Sequence, residues 1–236
     1  MRVLINALSA RQGGGQTYLR NLLEGLPIDS GIEIILLAPM SLQLAEGRGK
    51  VTRVAVSPVL ENPLVRAVWE RVVLPRLLRE SGVDVFFCPG GIIGAPVPPY
   101  CKSVMAFRNM IPFDLDQRRR YPLGYARLRN WILHRLTLQS MKKSDLVIFV
   151  SEYARKRLEG IAEMRLKAVA VIPHGVDKRF RARAETKAVR PDWVGKDRYF
   201  LYVSTLDFYK AQIEVVRGFA KWRSRRSSRV RLILAG

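Results

Sequence analysis

Residues 1–26, MRVLINALSARQGGGQTYLRNLLEGL, decide the fold prediction because they combine an apolar run, a glycine-rich segment and a helical pattern. Residues 3–5 are apolar and end at Asn6, which predicts a short buried strand. From about Gln16 onward, leucines recur at the i, i+3, i+4, i+7 spacing of an amphipathic helix: Leu19, Leu22, Leu23 and Leu26. The stretch therefore predicts a strand, a tight turn and a helix.

The turn contains Gly13, Gly14 and Gly15, followed by Gln16. Glycines let the backbone turn tightly and let another molecule approach the peptide N–H groups, and the positive end of the helix points at the same place. This predicts an anion site, with a purely structural turn as the alternative. The segment lacks the G-x-G-x-x-G and G-K-[ST] spacings, and the second predicted strand ends without an acidic residue, which disfavours dinucleotide and P-loop sites.

Composition limits the remaining classes. The chain has 236 residues, 48% of them hydrophobic, which allows one large domain or one domain plus part of another. The net charge of +21 indicates an anionic partner: nucleic acid, a phosphorylated substrate or an acidic lipid surface. Cys88, Cys101, His134 and His174 lack metal-ligand spacing, so no metal or cofactor is expected, and a reducing cytosol is the simplest compartment. The sequence shows no secretory signal pattern and no apolar run of the roughly 18 residues that span a membrane.

Strands and helices alternate along the rest of the chain. Further strands are predicted at residues 32–38, 51–56, 83–88, 102–107, 145–150, 167–172, 199–204 and 230–234. A helix is predicted over residues 63–80, kinked or divided by Pro75, and Ser151 is expected to cap another. The pattern predicts an α/β fold with a doubly wound, mostly parallel sheet. Loops that follow strand ends are expected to converge on one cleft: residues 13–16, 89–91, 108–112, 151–152 and 174–177.

A basic helix is predicted over residues 117–143. Its apolar stripe is assigned to the core: Tyr125, Leu128, Ile132 and Leu136. A second sector is basic and also holds Trp131 and Leu138; its charged members are Arg120, Arg127, Arg135 and Lys142. A basic face with an indole suits an anionic membrane surface, and a solvated face is the alternative.

Four segments together resemble glycosyltransferase family 4 of the GT-B fold: GGGQTYLRNLL, SDLVIFVSEYA, VIPHGVD and YVSTLDFYKAQ. The resemblance implies two Rossmann-like domains, with the acceptor mainly on the first, a nucleotide sugar mainly on the second, and transfer with retention at the anomeric carbon. It divides the chain into an N-terminal acceptor-side domain (residues 1–177), a linker (178–197) and the incomplete beginning of a nucleotide-sugar-binding domain (198–236).

The resemblance also implies roles for single residues. Gly13, Gly14, Gly15 and Gln16 match the loop beneath the transferring sugar and donor diphosphate, and Lys210 matches a lysine on that diphosphate. Thr205 stands where the family often has an arginine. The catalytic candidates Arg108 and Asn109 stand where many members have His-Asp; Arg108 is always protonated, so it can bind an anionic acceptor or the diphosphate but cannot act as a base.

Three more residues are candidates for lining the cleft: Ser151, Glu152 and His174. His174 replaces the asparagine of the V-I-P-N-G-V-D motif, which favours a structural role between the domains first. The family's E-x7-E carboxylate pair, which helps to hold the donor, is absent from this sequence.

The combined prediction is a fragment of a cytoplasmic glycosyltransferase that acts in cell-envelope glycan synthesis, peripheral to the inner face of the plasma membrane. Its expected partners are a nucleotide sugar, a glycan or lipid-linked acceptor and an anionic membrane surface. The fragment alone is expected to be inactive, with apolar surface exposed after residue 199. The alternatives are a basic nucleic-acid-binding protein, disfavoured because no nucleic-acid motif is found, and a non-catalytic GT-B partner subunit.

Overall fold

The described part of the protein forms two units. The computed structural model describes residues 1–11, 13–27, 30–43, 50–162, 165–176, 192–226 and 229–236. Unit 1 contains Met1–Met110 and Trp131–His174, and unit 2 contains Ile111–Asn130 and Gly175–Gly236. Residues 111–130, which the sequence analysis assigned to the first domain, thus group with the C-terminal segment. Most of the predicted linker lies outside the described residues; its last part contains a 3₁₀ turn, Asp192–Val194.

Seven parallel strands form the sheet of unit 1. In chain order, β1 to β7 are Arg2–Asn6, Glu33–Leu37, Lys50–Arg53, Val85–Cys88, Lys102–Phe107, Leu146–Phe149 and Val169–Val171. Their order is β3-β2-β1-β4-β5-β6-β7, and every pairing is parallel. The order reverses direction beside β1, which confirms the doubly wound α/β prediction. In such sheets, ligands bind at the carboxyl ends of the strands near this reversal.

Apolar strands form the core of unit 1. Leu4 on β1 is opposite Ile35 on β2 and Phe86 on β4, and both Leu4 and Phe86 are fully buried. Phe107 and Phe149, on neighbouring strands, contact edge to face with ring centroids 5.8 Å apart. Continuous apolar runs fit this position because both faces of a parallel sheet are covered.

Helices α1 (Gly14–Glu24), α2 (Pro63–Val72) and α3 (Leu74–Glu80) connect the first strands. Helix α1 buries Leu19 and Leu23, as its spacing predicts. Of the two outcomes predicted for Pro75, a kink or a division, the structure shows a division, because α2 ends at Val72 and Pro75 lies in the first turn of α3. A proline is tolerated there because the first-turn N–H groups have no partner within the helix.

One carboxylate joins the amino ends of three strands. Asp145, just before β6, accepts hydrogen bonds from the backbone N–H (2.9 Å) and the hydroxyl (2.8 Å) of Ser103 on β5. Lys167, two residues before β7, contacts the same carboxylate at 3.0 Å. The Ser103 backbone bond and then Lys167 lower the pKa of Asp145 to about 2, so this carboxylate is ionised at neutral pH.

The predicted basic helix over residues 117–143 is two helices, so that prediction is wrong in its continuity. Helix α4 is Leu115–Arg120 and α5 is Tyr125–Lys143. The break contains Pro122 and Gly124, whose φ of 137° is unsuited to an L side chain. Arg120 consequently lies outside α5, and Arg127 donates to the carbonyl oxygens of Arg119 and Tyr121 at 3.0 Å each. The predicted single basic sector therefore does not form.

The apolar stripe of α5 does not enter the core, which corrects a second prediction. Its four predicted core residues are all exposed: Tyr125, Leu128, Ile132 and Leu136. The helix instead buries Met141 and small polar residues such as Thr137 and Ser140. The Ser140 hydroxyl accepts from the backbone N–H of Ile93 at 2.9 Å and donates to the Leu136 carbonyl at 2.8 Å. A close approach of loop backbone thus selects a small hydroxyl side chain at this position.

Helix α6 (Glu152–Ala162) follows β6. Among the described residues, no helix is both long and apolar enough to cross a membrane.

The described part of unit 2 contains α4, the first part of α5, two paired parallel strands and one further α-helix. These are β8 (Tyr199–Val203), β9 (Arg231–Ala235) and α7 (Gln212–Ser224). Arg120 forms an ion pair with Glu214 at 2.8 Å, and the Tyr121 hydroxyl donates to Asp207 at 2.7 Å. Burial and this acceptor carboxylate raise the pKa of Tyr121 to about 12. Apolar side chains after residue 199 are exposed as expected: Phe200, Leu201, Val203, Leu206, Ile213 and Val216.

Candidate functional site

The glycine segment forms the N-terminus of α1 at the carboxyl end of β1. Gly13 has φ of 61°, a conformation that L side chains rarely adopt, and it precedes the first helical residue. A Cβ on Gly15 would lie 3.3 Å from the Cβ of Ala10, so the turn also needs a small residue there. No side chain among the described residues caps this helix, and its first turn contains no acidic residue. The helix end is therefore positively polarised, with N–H groups that no capping side chain occupies.

Gln16 fixes the shape of this turn. Its side-chain amide donates to the Arg11 carbonyl at 2.7 Å and to the Ser41 hydroxyl at 3.2 Å. The amide thereby joins the start of α1 to the loop before it and to the segment after β2. The candidate Gln16 thus has a structural role whether or not it also contacts a ligand.

Arg108, at the end of β5, is connected to α1 by Tyr18. Its guanidinium carbon lies 4.4 Å from the centre of the Tyr18 ring, and its Nε donates to the Pro89 carbonyl after β4 at 2.9 Å. The His174 ring contacts the same tyrosine edge to face, with centroids 5.3 Å apart. Loops after β4, β5 and β7 and the first turns of α1 are thereby brought together, including two of the predicted site residues.

The charge of Arg108 sets the electrostatics of this cluster. Burial, and then the nearby Arg108, lower the pKa of His174, which favours the neutral imidazole at pH 7. Burial raises the pKa of Tyr18, an effect that Arg108 opposes. The cluster therefore offers one fixed cation beside a neutral imidazole that can accept a hydrogen bond.

A second polar cluster surrounds Glu70 on α2. Glu70 is 9% exposed and accepts a hydrogen bond from the Asn6 amide at the end of β1 at 2.8 Å. Arg66 lies one helical turn away, with its Nε 4.0 Å from the same carboxylate oxygen. A Cβ on Gly94 would come within 2.4 Å of the other Glu70 oxygen, so a larger residue there would displace this carboxylate. Burial raises the pKa of Glu70, whereas the hydrogen bond from Asn6 and the charge of Arg66 lower it.

The remaining unit 1 candidates lie at neighbouring strand ends. The Ser151 hydroxyl accepts from the Ala154 N–H at 3.2 Å, which confirms that it caps α6. Glu152 forms an ion pair with Arg155 at 3.2 Å within the same helix. Asn109 follows Arg108 and is exposed. Burial and the nearby Glu70 raise the pKa of Cys88 well above its usual value, which makes this thiol unreactive.

Thr205 and Lys210 belong to unit 2. Lys210 ends a 3₁₀ turn, two residues before α7 begins, and its ammonium lies 4.7 Å from the centre of the Tyr209 ring. Ala211, between Lys210 and the first residue of α7, has a left-handed backbone conformation with φ of 57°. The Thr205 carbonyl accepts from the Gln212 amide at 2.7 Å. Lys210 thus stands at the start of a helix, as predicted, and the roles of both residues toward a donor remain predictions.

Sequence reasoning missed Tyr18, Glu70 and Arg66. Tyr18 lies within the quoted GGGQTYLRNLL segment, so a signal was present although its contacts were not predictable. Glu70 and Arg66 gave no signal, because charged residues on an amphipathic helix are usually solvated. Within the described ranges, no group of three or more His, Cys, Asp or Glu side chains could hold a metal ion.

Comparison with known proteins identifies the family. The profile of Glycosyltransferase Family 4 matches residues 12–180, which is more than half of the chain. The chain belongs to glycosyltransferase family 4. No curated protein matches it significantly.

A solved structure, the apo form of the lipopolysaccharide outer core galactosyltransferase WaaB, resembles this family 4 chain in fold. The two are 15% identical with a TM-score of 0.52, and the match covers 99% of this chain and 60% of that one. The family 4 chain therefore spans 60% of the length of that GT-B protein, and at this identity the likeness shows the fold alone.

Proposed function

We propose that this chain is part of a retaining glycosyltransferase that moves a sugar from a nucleotide-sugar donor to a lipid-linked or polysaccharide acceptor in cell-envelope glycan synthesis. The observation that carries the proposal is the family match over residues 12–180. In the reaction, the bond between the anomeric carbon and the diphosphate breaks. The acceptor oxygen bonds to the same face of that carbon, and the leaving nucleoside diphosphate takes up the acceptor's proton.

Each unit is assigned its own anion-binding element toward the donor: the N-terminus of α1 in unit 1, and Lys210 in unit 2. Residues 13–16 carry an uncapped helix start without acidic side chains, which is suited to an anion. An ammonium at Lys210 would neutralise the negative charge that grows on the leaving group. Thr205 would add a hydroxyl contact in place of the family's arginine. We assign no metal or cofactor to the step.

The acceptor is assigned to the carboxyl edge of the unit 1 sheet. Arg108 would bind an anionic group there, because its guanidinium is held by Pro89 and Tyr18 and is always charged. His174, Ser151, Glu152 and Asn109 would line this edge, His174 as a neutral hydrogen-bond acceptor. A contact of Arg108 with the donor diphosphate is the alternative within the same mechanism.

We further propose that the protein lies at the inner face of the plasma membrane. Helix α2 exposes an apolar row, with Leu64, Val68 and Val72 between 64% and 79% exposed. The same helix carries the exposed Arg71. Such a face gains hydrophobic free energy in the interfacial region, while cations on the surface attract anionic headgroups.

Exposed side chains in the last part of α5 also support a location at the membrane surface. Trp131, Ile132 and Leu136 are exposed, and the Arg135 guanidinium lies 5.4 Å from the Trp131 ring centre. The helix contains no acidic residue and ends with Lys142 and Lys143. An indole and lysines on an exposed face are typical of helices at anionic lipid surfaces.

A transfer assay tests the enzymatic proposal. The 236-residue chain and any longer product of the same reading frame are incubated with a panel of nucleotide sugars and a membrane fraction that supplies acceptors. We expect transfer by the longer product, with the donor's anomeric configuration retained in the NMR coupling of the product, and none by the shorter chain. Inverted configuration would contradict retention, and the absence of transfer with every donor would contradict the enzymatic proposal.

Flotation tests the location. The chain is expected to float with vesicles that contain phosphatidylglycerol and to remain behind with phosphatidylcholine alone. Binding to duplex DNA, measured over a range of salt concentrations, is the comparison. Tight DNA binding without capture by anionic vesicles would favour the nucleic-acid alternative.

A further inference from the structure

Two arginines, one in the loop that follows β1 and one on α2, are close enough for their charges to interact. Arg11 lies in this loop, and its backbone N–H donates to the Ser9 carbonyl at 3.0 Å. Arg66 reaches the same loop from α2, where its Nη1 points at the Leu8 carbonyl oxygen 3.4 Å away. The Arg66 guanidinium therefore lies beside the loop that carries Arg11, at the carboxyl edge of the sheet and close to the start of α1.

The protein contacts around these arginines leave guanidinium donors unused. Nη2 of Arg11 is shielded from solvent and has no hydrogen-bond partner in the described part of the chain. Arg66 has a side chain that is 18% exposed, and its contact with Glu70 is at the long limit of 4.0 Å. The Glu70 oxygen in that contact is already bonded to the Asn6 amide at 2.8 Å.

The charge balance at this loop is positive. Burial lowers the pKa of Arg66, the charge of Glu70 raises it, and the charge of Arg11 lowers it, so Arg66 is attracted to Glu70 and repelled by Arg11. Glu70 offsets part of this charge, but burial opposes its own ionisation. A bound anion would relieve the repulsion and supply the acceptor that Arg11 lacks.

We propose that Arg11 and Arg66 form an oxyanion subsite that binds a phosphate group of the acceptor. Two forked guanidinium groups match the tetrahedral oxygens of a phosphate better than they match a hydroxyl or an amide. We assign the phosphate to the acceptor and not to the donor because of the two sides of α2. Its half-buried side carries Arg66, and its exposed side carries the apolar row that is proposed to meet lipid. A phosphate that links a glycan to a lipid would lie next to such a helix. The assignment rests on the proposed function.

Titration of the 236-residue chain tests the subsite. Phenyl phosphate and pyrophosphate are added separately at constant ionic strength, and binding is measured by calorimetry and by the NMR signals of arginine Nε–H groups. We expect saturable binding of phenyl phosphate that is weakened at least tenfold in R11Q and in R66Q. R11K keeps the charge but loses the fork, and it should fall between wild type and R11Q.

The control is R79Q on α3, which removes the same charge from an exposed side chain. It should bind phenyl phosphate within twofold of wild type. If R79Q loses as much affinity for phenyl phosphate as R11Q does, the loss is explained by net charge alone, which would overturn the subsite. Tighter binding of pyrophosphate, lost in R11Q, would assign these arginines to the donor diphosphate and overturn the acceptor assignment.

The outcome is separable from that of the proposed function. Phosphate binding through Arg11 and Arg66 without sugar transfer by the longer product would contradict only the enzymatic proposal. Sugar transfer that R11Q and R66Q leave unchanged, together with unchanged phosphate binding, would contradict only the subsite.

Discussion

Helices α1 and α2 belong to the same unit and both carry apolar residues at helical spacing. Helix α1 buries its apolar face, whereas α2 buries a polar face and exposes its apolar one. Helix α1 buries Leu19 completely, whereas Leu64 on α2 is 79% exposed. What α2 buries is Glu70, which is bonded to Asn6. Helical spacing therefore determines which residues share a face, but it does not determine which face meets the protein.

The difference has a local physical cause. The end of β1 presents the Asn6 amide to α2, and a carboxylate satisfies that amide where a valine would leave it unpaired. The apolar packing of this connection is supplied instead by α3, which buries Leu74 and Leu78. Helix α2 is thus held by polar contacts on one side, and its apolar side is left for another surface.

The largest expected effect is on stability, in a matched pair of leucine substitutions. L19A should lower the free energy of unfolding by about 2–5 kcal/mol because it leaves a cavity in the core. L64A should change it by less than about 0.5 kcal/mol because the side chain is already in water. Urea denaturation followed by circular dichroism measures both. Equal losses in the two variants would contradict the opposite burial of these helices.

The next effect tests whether polar contacts hold α2. E70A should cost about 1–3 kcal/mol of unfolding free energy, because the Asn6 amide loses its acceptor and Arg66 loses its counter-charge. E70Q keeps an oxygen for Asn6 and should cost less than E70A. The same denaturation experiment applies. If E70A is as neutral as L64A, the buried polar face does not anchor the helix.

The exposed face of α2 is tested by membrane binding. The double variant L64S/V68S should bind phosphatidylglycerol vesicles about tenfold more weakly, since the apolar area of two side chains is lost from the interface. Its stability should not change. L206S, an exposed leucine in unit 2, is the matched control and should float like wild type. Unchanged flotation of the double variant would mean that lipid does not cover this face.

The smallest expected effect is on the pKa of His174, which together with Arg108 contacts Tyr18 on α1. R108Q should raise the pKa of His174, because it removes a cation that disfavours the imidazolium, while partial burial beside Tyr18 continues to lower it. Since folding lowers this pKa, protonation of His174 as the pH falls below about 6.5 destabilises the folded chain, and R108Q should lessen that loss. NMR titration of the imidazole measures the shift, with R79Q as control. An unchanged His174 pKa in R108Q would show that the two side chains are not coupled.

The candidate site was predictable in part. Arg108, His174 and the glycine segment could be found because they follow strand ends, where parallel sheets bind ligands. Their connection through Tyr18 could not, since a ring contact between α1 and the loop after β7 depends on how residues far apart in sequence pack. Arg66 and Glu70 were missed because nothing in a sequence distinguishes a buried helical charge from a solvated one.

The sequence by itself determined the positions of the strands, the division at Pro75 and the glycine turn before α1. These features depend on local rules: apolar runs, the missing proline N–H and the left-handed φ of Gly13. Only the tertiary structure decided the strand order and the buried faces of α2 and α5. Those faces are set by what lies opposite them, the Asn6 amide for Glu70 and the Ile93 N–H for Ser140, because a buried polar group requires a partner that local sequence does not specify.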